Sequence, residues 1–169
     1  MTPDLDAPLT ASSADCDVLI IGSGPAGSTA AALLARREHR LTLLEKAHHP
    51  RFHIGESLLP ANLQLLESLG VAGDIKAIGM ETRESNLSRP GCEHVQQFQF
   101  ADALINEMPM SCQVRRSEFD EILLRNASRK GARVTESCQV RHVDFSLGGV
   151  IVETRREHLT AQTVHVRYL

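Results

Sequence analysis

A glycine-rich hexapeptide, GSGPAG at 22–27, lies between an apolar run, VLII at 18–21, and a helix predicted for 25–37 from its small residues. Gly22 allows a tight turn, Gly24 lets a ligand approach the backbone, and Gly27 lets the helix pack on the strand. The LTLLE run at 41–45 predicts a second buried strand. Strand, turn, helix and strand in this order predict a βαβ unit of an α/β fold with a parallel sheet.

The start of this helix is the predicted phosphate site, because the free N–H groups and the positive end of the helix dipole attract anions. Glu45 follows at the spacing, about 20 residues, at which an acidic side chain meets the ribose of a dinucleotide. Its charge would repel the 2′-phosphate of NADP. The predicted contacts are Gly22, Gly24, Pro25, Ala26, Gly27, Glu45 and its neighbour Lys46. At this point both NAD and FAD remain open, and so does a purely structural turn with a solvated Glu45.

Charge and composition exclude several other classes of function. The sequence has 18 Lys and Arg residues and 21 Asp and Glu residues, which give a net charge of −3, and it has no Trp. We therefore expect no nucleic-acid surface and no membrane anchor. The cysteines lack metal or redox spacing, so we expect no metal site and a cytoplasmic protein. Residues 1–15, rich in Ser, Thr, Asp and Pro, predict a disordered tail before a single domain at 16–169.

Further elements follow from apolar periodicity and from turn residues. Residues 51–60 predict a loop and 60–69 a helix that ends at Gly70. Ser117 and Asp120 resemble a capping box at the start of another helix, with Phe119 in its apolar face. Gly148 and Gly149 predict a hairpin turn. Short strands are predicted at 95–100, 133–135, 139–144, 150–154 and from 163 onward, the later ones forming a small β-meander.

Two segments resemble the flavin-dependent halogenases, which belong to the FAD-dependent monooxygenases similar to p-hydroxybenzoate hydroxylase. They are RFHIGESLLP at 51–60 and QVRRSEFD at 113–120. The resemblance implies a Rossmann-type domain that binds FAD rather than NAD. It also implies that the 51–60 loop follows the flavin and that the Arg before the later helix reaches the cofactor. The residues so assigned are Arg51, Gly55, Glu56, Ser57 and Arg116. The plain alternatives are an ordinary strand-to-helix connection and a surface arginine.

In that family, reduced flavin reacts with oxygen to give a flavin hydroperoxide, which hydroxylates an aromatic substrate or oxidises a halide. The resemblance therefore implies an oxidoreductase, a small aromatic substrate and a flavin reductase as partner. The family has a Lys where our alignment places Arg83, a weak catalytic candidate because a guanidinium stays protonated. Its plain interpretation is a surface charge.

The chain departs from the family in length, since full-length relatives are more than twice as long. A D-x-x-G segment and a later G-D segment of that family do not occur in this sequence. We therefore expect a truncated chain without the substrate domain, whose interrupted sheet leaves an unpaired edge. Two alternatives to a working enzyme follow: a catalytically inactive fragment that binds FAD or ADP, and a small NAD-binding module.

Overall fold

A computed structural model describes residues 15–88, 91, 95–102, 109–146, 149–156 and 162–169. The predicted tail lies outside these residues except for Asp15, which belongs to the folded part. The Asp15 N–H donates to the His165 carbonyl at 2.8 Å, and the Asp15 carboxylate accepts from the His165 N–H at 3.0 Å. Asp15 is thus fixed to the last strand of the chain, and its assignment to the tail is wrong.

The described elements alternate between strands and helices in the first half, and strands prevail in the second. In chain order they are β1 (Cys16–Ile21), α1 (Pro25–Ala35), β2 (Leu41–Leu44), β3 (Glu56–Leu58), α2 (Pro60–Leu69), α3 (Ala72–Ile78), β4 (Met80–Thr82), β5 (Glu84–Ser88), β6 (Val95–Gln99), a short 3-10 helix (Phe100–Asp102), β7 (Ser111–Val114), α4 (Arg116–Arg129), β8 (Arg133–Thr135), β9 (Cys138–Ser146), β10 (Gly149–Arg156) and β11 (Gln162–Tyr168).

The main sheet has six strands in the order β8-β2-β1-β11-β10-β9. β8, β2, β1 and β11 run parallel, while β11, β10 and β9 form an antiparallel meander. The α/β fold, the parallel sheet and the small meander are therefore confirmed. The last strand does not form an open edge, because β11 is hydrogen-bonded to β1 on one side and to β10 on the other. The edges of this sheet are β8 and β9.

The side chains of the sheet pack into two apolar cores, one on each face, because successive strand residues point to opposite faces. Leu43 lies in the core shared with the helices, whereas the adjacent Leu44 lies in the core under the meander. α1 packs against α4 over the first core, and α2 and α3 extend it. The second core is built from residues of β1, β2, β9, β10 and β11. This packing fixes the carboxyl ends of β1 and β2, where the glycine-rich turn and Glu45 lie.

Several predicted boundaries hold and others shift. The helix at 60–69 is confirmed, and Gly70 ends it with a φ of 77°. The first helix stops at Ala35 rather than at residue 37. The predicted 51–60 loop contains β3, which pairs with β7, and β7 also pairs with β4. Gly149 is in the hairpin between β9 and β10, while Gly148 lies outside the described residues. In the described part, none of the helices is long and apolar enough to cross a membrane.

Candidate functional site

The glycine-rich turn has the geometry that its sequence requires. Gly22 has a φ of +95°, a conformation that favours glycine, and its N–H donates to the Leu44 carbonyl at 2.8 Å. A Cβ on Gly27 would lie 2.0 Å from the Gly22 carbonyl oxygen and 3.3 Å from a methyl group of Ile20. Gly27 therefore lets α1 contact both the turn and β1, as predicted.

The first turn of α1 is left open on the side of its backbone N–H groups. Gly24 is the N-cap residue, Pro25 occupies the first turn, no side-chain cap is formed and no acidic residue lies in that turn. A Cβ on Gly24 would have no heavy atom within 4 Å. Uncapped N–H groups at a helix start need an acceptor, and a phosphate group provides one. Pro25 and Ala26 thus lie at a helix start that has no side-chain cap.

Glu45, the predicted ribose ligand, is buried with only 2% of its surface exposed. Its Oε2 accepts from the N–H and from the hydroxyl of Ser23, both at 2.8 Å, and its Oε1 accepts from the Ala47 N–H at 2.9 Å. Burial raises the pKa of Glu45, but these hydrogen bonds together lower it by more than burial raises it. The pKa therefore lies below its ordinary value. A solvated Glu45 is thereby ruled out. An ionised carboxylate has about four acceptor positions, so one remains for a ribose hydroxyl.

Arg51 lies beside this carboxylate, with its guanidinium 3.8 Å from the Glu45 oxygen. Its Nε is buried and has no hydrogen-bond partner in the described part of the chain. A buried guanidinium N–H normally has an acceptor. Arg51 therefore has an unused donor next to the predicted ribose ligand, which suits an oxygen of a bound nucleotide.

Most of the predicted flavin loop is open to solvent, although Leu58 is buried. Gly55, Glu56 and Ser57 are exposed, and the last two belong to β3. A Cβ on Gly55 would lie 3.2 Å from the Val114 carbonyl oxygen, so this glycine permits close contact with the end of β7. Lys46 and Arg83 are also exposed. The Arg83 carbonyl accepts from the Phe100 N–H at 3.0 Å, which places this residue beside the β5–β6 ribbon.

Arg116 forms a charge cluster with two acidic side chains. Its guanidinium donates to both oxygens of Asp120, at 2.9 and 3.2 Å, and to Glu56 at 2.6 Å. Asp120 is fully buried, so the capping-box assignment is wrong. α4 begins at Arg116, its N-cap residue is Arg115, and neither Ser117 nor Asp120 caps it. The hydrogen bond with Asp120 raises the pKa of Arg116 despite partial burial. The buried Phe119 confirms its assignment to the core.

Two residues of the site, Ser23 and His49, were not predicted. Both are buried, and the Ser23 hydroxyl lies 2.8 Å from His49 Nε2. Ser23 occupies the variable second position of the glycine motif, and His49 lies in the HH pair at 48–49. A polar side chain at that variable position was the available signal, because Ser23 there can donate its hydroxyl to Glu45.

Gly24→Ala is expected to separate nucleotide binding from folding. The φ of Gly24 is −64° and its Cβ position is free, so alanine should leave the free energy of unfolding nearly unchanged. The methyl group would keep phosphates away from the backbone N–H groups. We expect about a ten- to hundred-fold loss of ADP affinity, from losing hydrogen bonds to a charged group. Calorimetric titration together with urea unfolding checks both parts. Wild-type affinity in the folded variant would refute the phosphate assignment.

Taken together, the described residues fit the ADP portion of FAD. They provide an uncapped helix start for phosphates, a buried carboxylate with an acceptor position for ribose, and an arginine donor that lacks an acceptor. FAD, when bound, would supply redox chemistry that protein side chains lack.

Comparison with known proteins supports the same cofactor. The family model described as "FAD binding domain" matches residues 15–169. The tryptophan 2-halogenase of Chondromyces crocatus is 41% identical over 128 residues, which cover 76% of this chain and 24% of that protein. The 1H-pyrrole-2-carbonyl-[peptidyl-carrier protein] chlorinase of Pseudomonas fluorescens is 34% identical over 161 residues, covering 83% and 35%.

A solved structure extends this likeness to the fold. The myxobacterial chondrochloren halogenase CndH superposes with a TM-score of 0.81 at 34% identity, covering 89% of this chain and 35% of that one. The chain thus spans about a quarter to a third of the length of these relatives. Because the match to the FAD-binding model covers nearly the whole chain, the chain belongs to the FAD binding domain family, and its cofactor is FAD.

Proposed function

We propose that this chain is the FAD-binding part of a flavin-dependent halogenase or monooxygenase, acting on an aromatic substrate or a halide. One observation carries the proposal: the uncapped start of α1 lies beside Glu45, which is buried, ionised and held by Ser23. In this proposal, Gly22, Gly24 and Gly27 shape the turn that receives the pyrophosphate. Glu45 accepts from the adenosine ribose, and Arg51 donates to a further oxygen of the nucleotide.

The exposed loop at 52–57 would contact the part of FAD beyond its ADP portion. Gly55, Glu56 and Ser57 lie at the surface after Arg51, and Arg116 joins this loop to α4 through Glu56. Phe52 and Ile54 of the same loop are 89% and 84% exposed. Two large apolar side chains this exposed in one loop offer a surface that a cofactor or partner could cover. A bound flavin, or the further protein mass that the longer relatives contain, would cover them.

Bound FAD would supply two-electron redox chemistry with molecular oxygen, and the side chains described here would bind and orient the cofactor. A flavin reductase that delivers reduced flavin and a cytoplasmic location belong to the same proposal. Cys16, Cys112 and Cys138 are free thiols, as suits a reducing compartment.

A second candidate function is that the described residues hold FAD or ADP without turnover, and the surroundings of the catalytic candidate favour it. Arg83, the catalytic candidate, is an exposed arginine between β4 and β5. The side chains that contact the Glu45 carboxylate hold it in place rather than serve as acid or base. An NAD-binding module would share this turn, so it is a third outcome of the experiment.

The test titrates the purified chain with FAD, ADP and NAD and then assays turnover. We expect FAD to be retained on gel filtration, with protein-bound flavin absorption, and ADP to compete for the site. Halide or phenol turnover with a flavin reductase and NADH supports the enzyme, whereas FAD binding without turnover supports the second function. Binding of NAD with no uptake of FAD would contradict both.

A further inference from the structure

A buried chain of hydrogen bonds runs from Glu45, the proposed ribose-binding residue, through Ser23 to His49 in the loop after β2. Ser23 donates its single hydroxyl proton to Glu45, because an ionised carboxylate only accepts. His49 Nε2 lies 2.8 Å from the same Ser23 oxygen, which leaves His49 as the donor of that second bond. The imidazole must therefore carry its proton on Nε2.

The other imidazole nitrogen shows which charge state the site accepts. Nδ1 of His49 is buried and has no hydrogen-bond partner among the described residues. A proton there would create a buried cationic N–H without an acceptor, close to Arg51. Burial, together with the charge of Arg51, lowers the pKa of His49, against the opposing charges of Glu136, Glu45 and Asp120. The neutral imidazole with its proton on Nε2 is thus the form that this site holds.

The backbone of His49 is fixed as well. Its N–H donates to Glu136 at 2.7 Å, and Glu136 also pairs with Arg125 at 2.8 Å. Glu136 follows β8, the strand that pairs with β2, so the loop is anchored to the carboxyl end of its neighbouring strand. With its main chain and its ring both fixed, His49 is placed to determine the position of the Ser23 hydroxyl.

We propose that His49 is a positioning residue of the nucleotide site: through Ser23 it holds the Glu45 carboxylate in the orientation that receives the adenosine ribose. This inference rests on the proposed assignment of Glu45 to the ribose. Without the His49 donor, the Ser23 hydroxyl can rotate away from Glu45, and the buried carboxylate loses one of its three fixed bonds. The ribose would then meet a carboxylate that is no longer held in one orientation.

The experiment compares two replacements of His49 by ADP calorimetry. His49→Phe retains a ring but no donor, and we expect about ten-fold weaker ADP binding from the weakened hydrogen bonding to a charged group. His49→Gln carries an amide N–H near the position of Nε2, and we expect its affinity to stay within about three-fold of wild type. Ser23→Ala should weaken ADP binding as much as His49→Phe does. The double variant Ser23→Ala, His49→Phe should bind no more weakly than either single variant, because both changes act on the Ser23–Glu45 hydrogen bond.

A pH profile separates positioning from packing. The pKa of His49 in the folded chain lies below the ordinary 6.5, so we expect wild-type ADP affinity to fall only as the pH drops through that lowered pKa, where a proton on Nδ1 would have no acceptor. His49→Gln should show no such fall. The charged groups that face His49 are Glu45, Glu136, Arg51 and Asp120. The pKa values of Glu45 and Glu136 lie below the ordinary 4.5 because of the hydrogen bonds that these carboxylates accept. Comparing the two proteins cancels the titration of ADP itself.

The outcomes are distinct. The role of His49 is overturned if folded His49→Phe binds ADP with wild-type affinity, or if His49→Gln loses as much affinity as His49→Phe. Either result leaves the proposed function intact. Absence of ADP binding to the wild-type chain overturns the proposed function together with this inference. If His49→Phe fails to fold, nitrogen NMR of the wild-type imidazole decides: a proton on Nε2 alone supports the proposal, and a proton on Nδ1 contradicts it.

Discussion

Gly27→Ala is expected to destabilise the chain and to remove nucleotide binding at the same time. The added methyl group would lie 2.0 Å from the Gly22 carbonyl oxygen, a backbone atom that cannot move without opening the turn. α1 would have to leave β1, so its N-terminus would no longer point at the phosphate position. Overpacking of this kind costs about 3 kcal/mol in free energy of unfolding. Urea unfolding and ADP calorimetry measure the two effects.

Gly24→Ala is the matched control, because its methyl group meets no atom within 4 Å. Both variants add one carbon to the same turn, but only Gly27→Ala is expected to change the free energy of unfolding. Equal stability of the two variants would show that α1 does not pack on β1 as closely as described. That result would remove the structural basis of the phosphate site.

Arg116→Ala is expected to cost about 3 kcal/mol of stability, because it leaves a buried carboxylate without its partner. Asp120 is fully buried, and Arg116 donates to both of its oxygens. The side chain of Arg116 is 20% exposed, so solvent screens this pair only in part. Urea unfolding measures the loss. We also expect weaker FAD binding, since the Arg116–Glu56 contact joins α4 to the exposed loop.

Two controls separate the buried pair from the exposed one. Glu56→Gln removes only the partner that is 42% exposed, and should change stability by about 0.5 kcal/mol or less. The double variant Arg116→Met, Asp120→Leu replaces the buried pair with apolar side chains and should be more stable than Arg116→Ala. If Arg116→Ala were as stable as Glu56→Gln, the buried pair would contribute no more to stability than the exposed one.

The βαβ unit was predictable because its requirements are local. Gly22 and Gly27 occupy positions where the turn and the helix contact exclude side chains, and such positions restrict the sequence strongly. The hairpin of the meander was also predictable, since the glycine pair at 148–149 marks a turn between two segments that contain apolar residues. The 51–60 segment pointed to FAD through its whole string of residues, which periodicity alone would not have revealed.

Most of the parts that sequence reasoning missed depend on partners that are distant in the chain. β7 is a four-residue strand, and only its pairing with β3 and β4, more than 25 residues away, makes it part of a sheet. Ser117 and Asp120 match a local capping pattern, but Asp120 pairs instead with Arg116, four residues earlier in the same helix, and this competing local pair was overlooked. His49 has no local signal at all, because its role exists only where the loop meets Ser23.

The most direct measurement is calorimetric titration of the folded wild-type chain with ADP, alongside Gly24→Ala. We expect saturable one-to-one binding by the wild-type chain and about ten- to hundred-fold weaker binding by the variant. Equal binding by both chains, or no binding by a folded wild-type chain, would contradict the claim that the start of α1 and Glu45 hold the ADP portion of FAD.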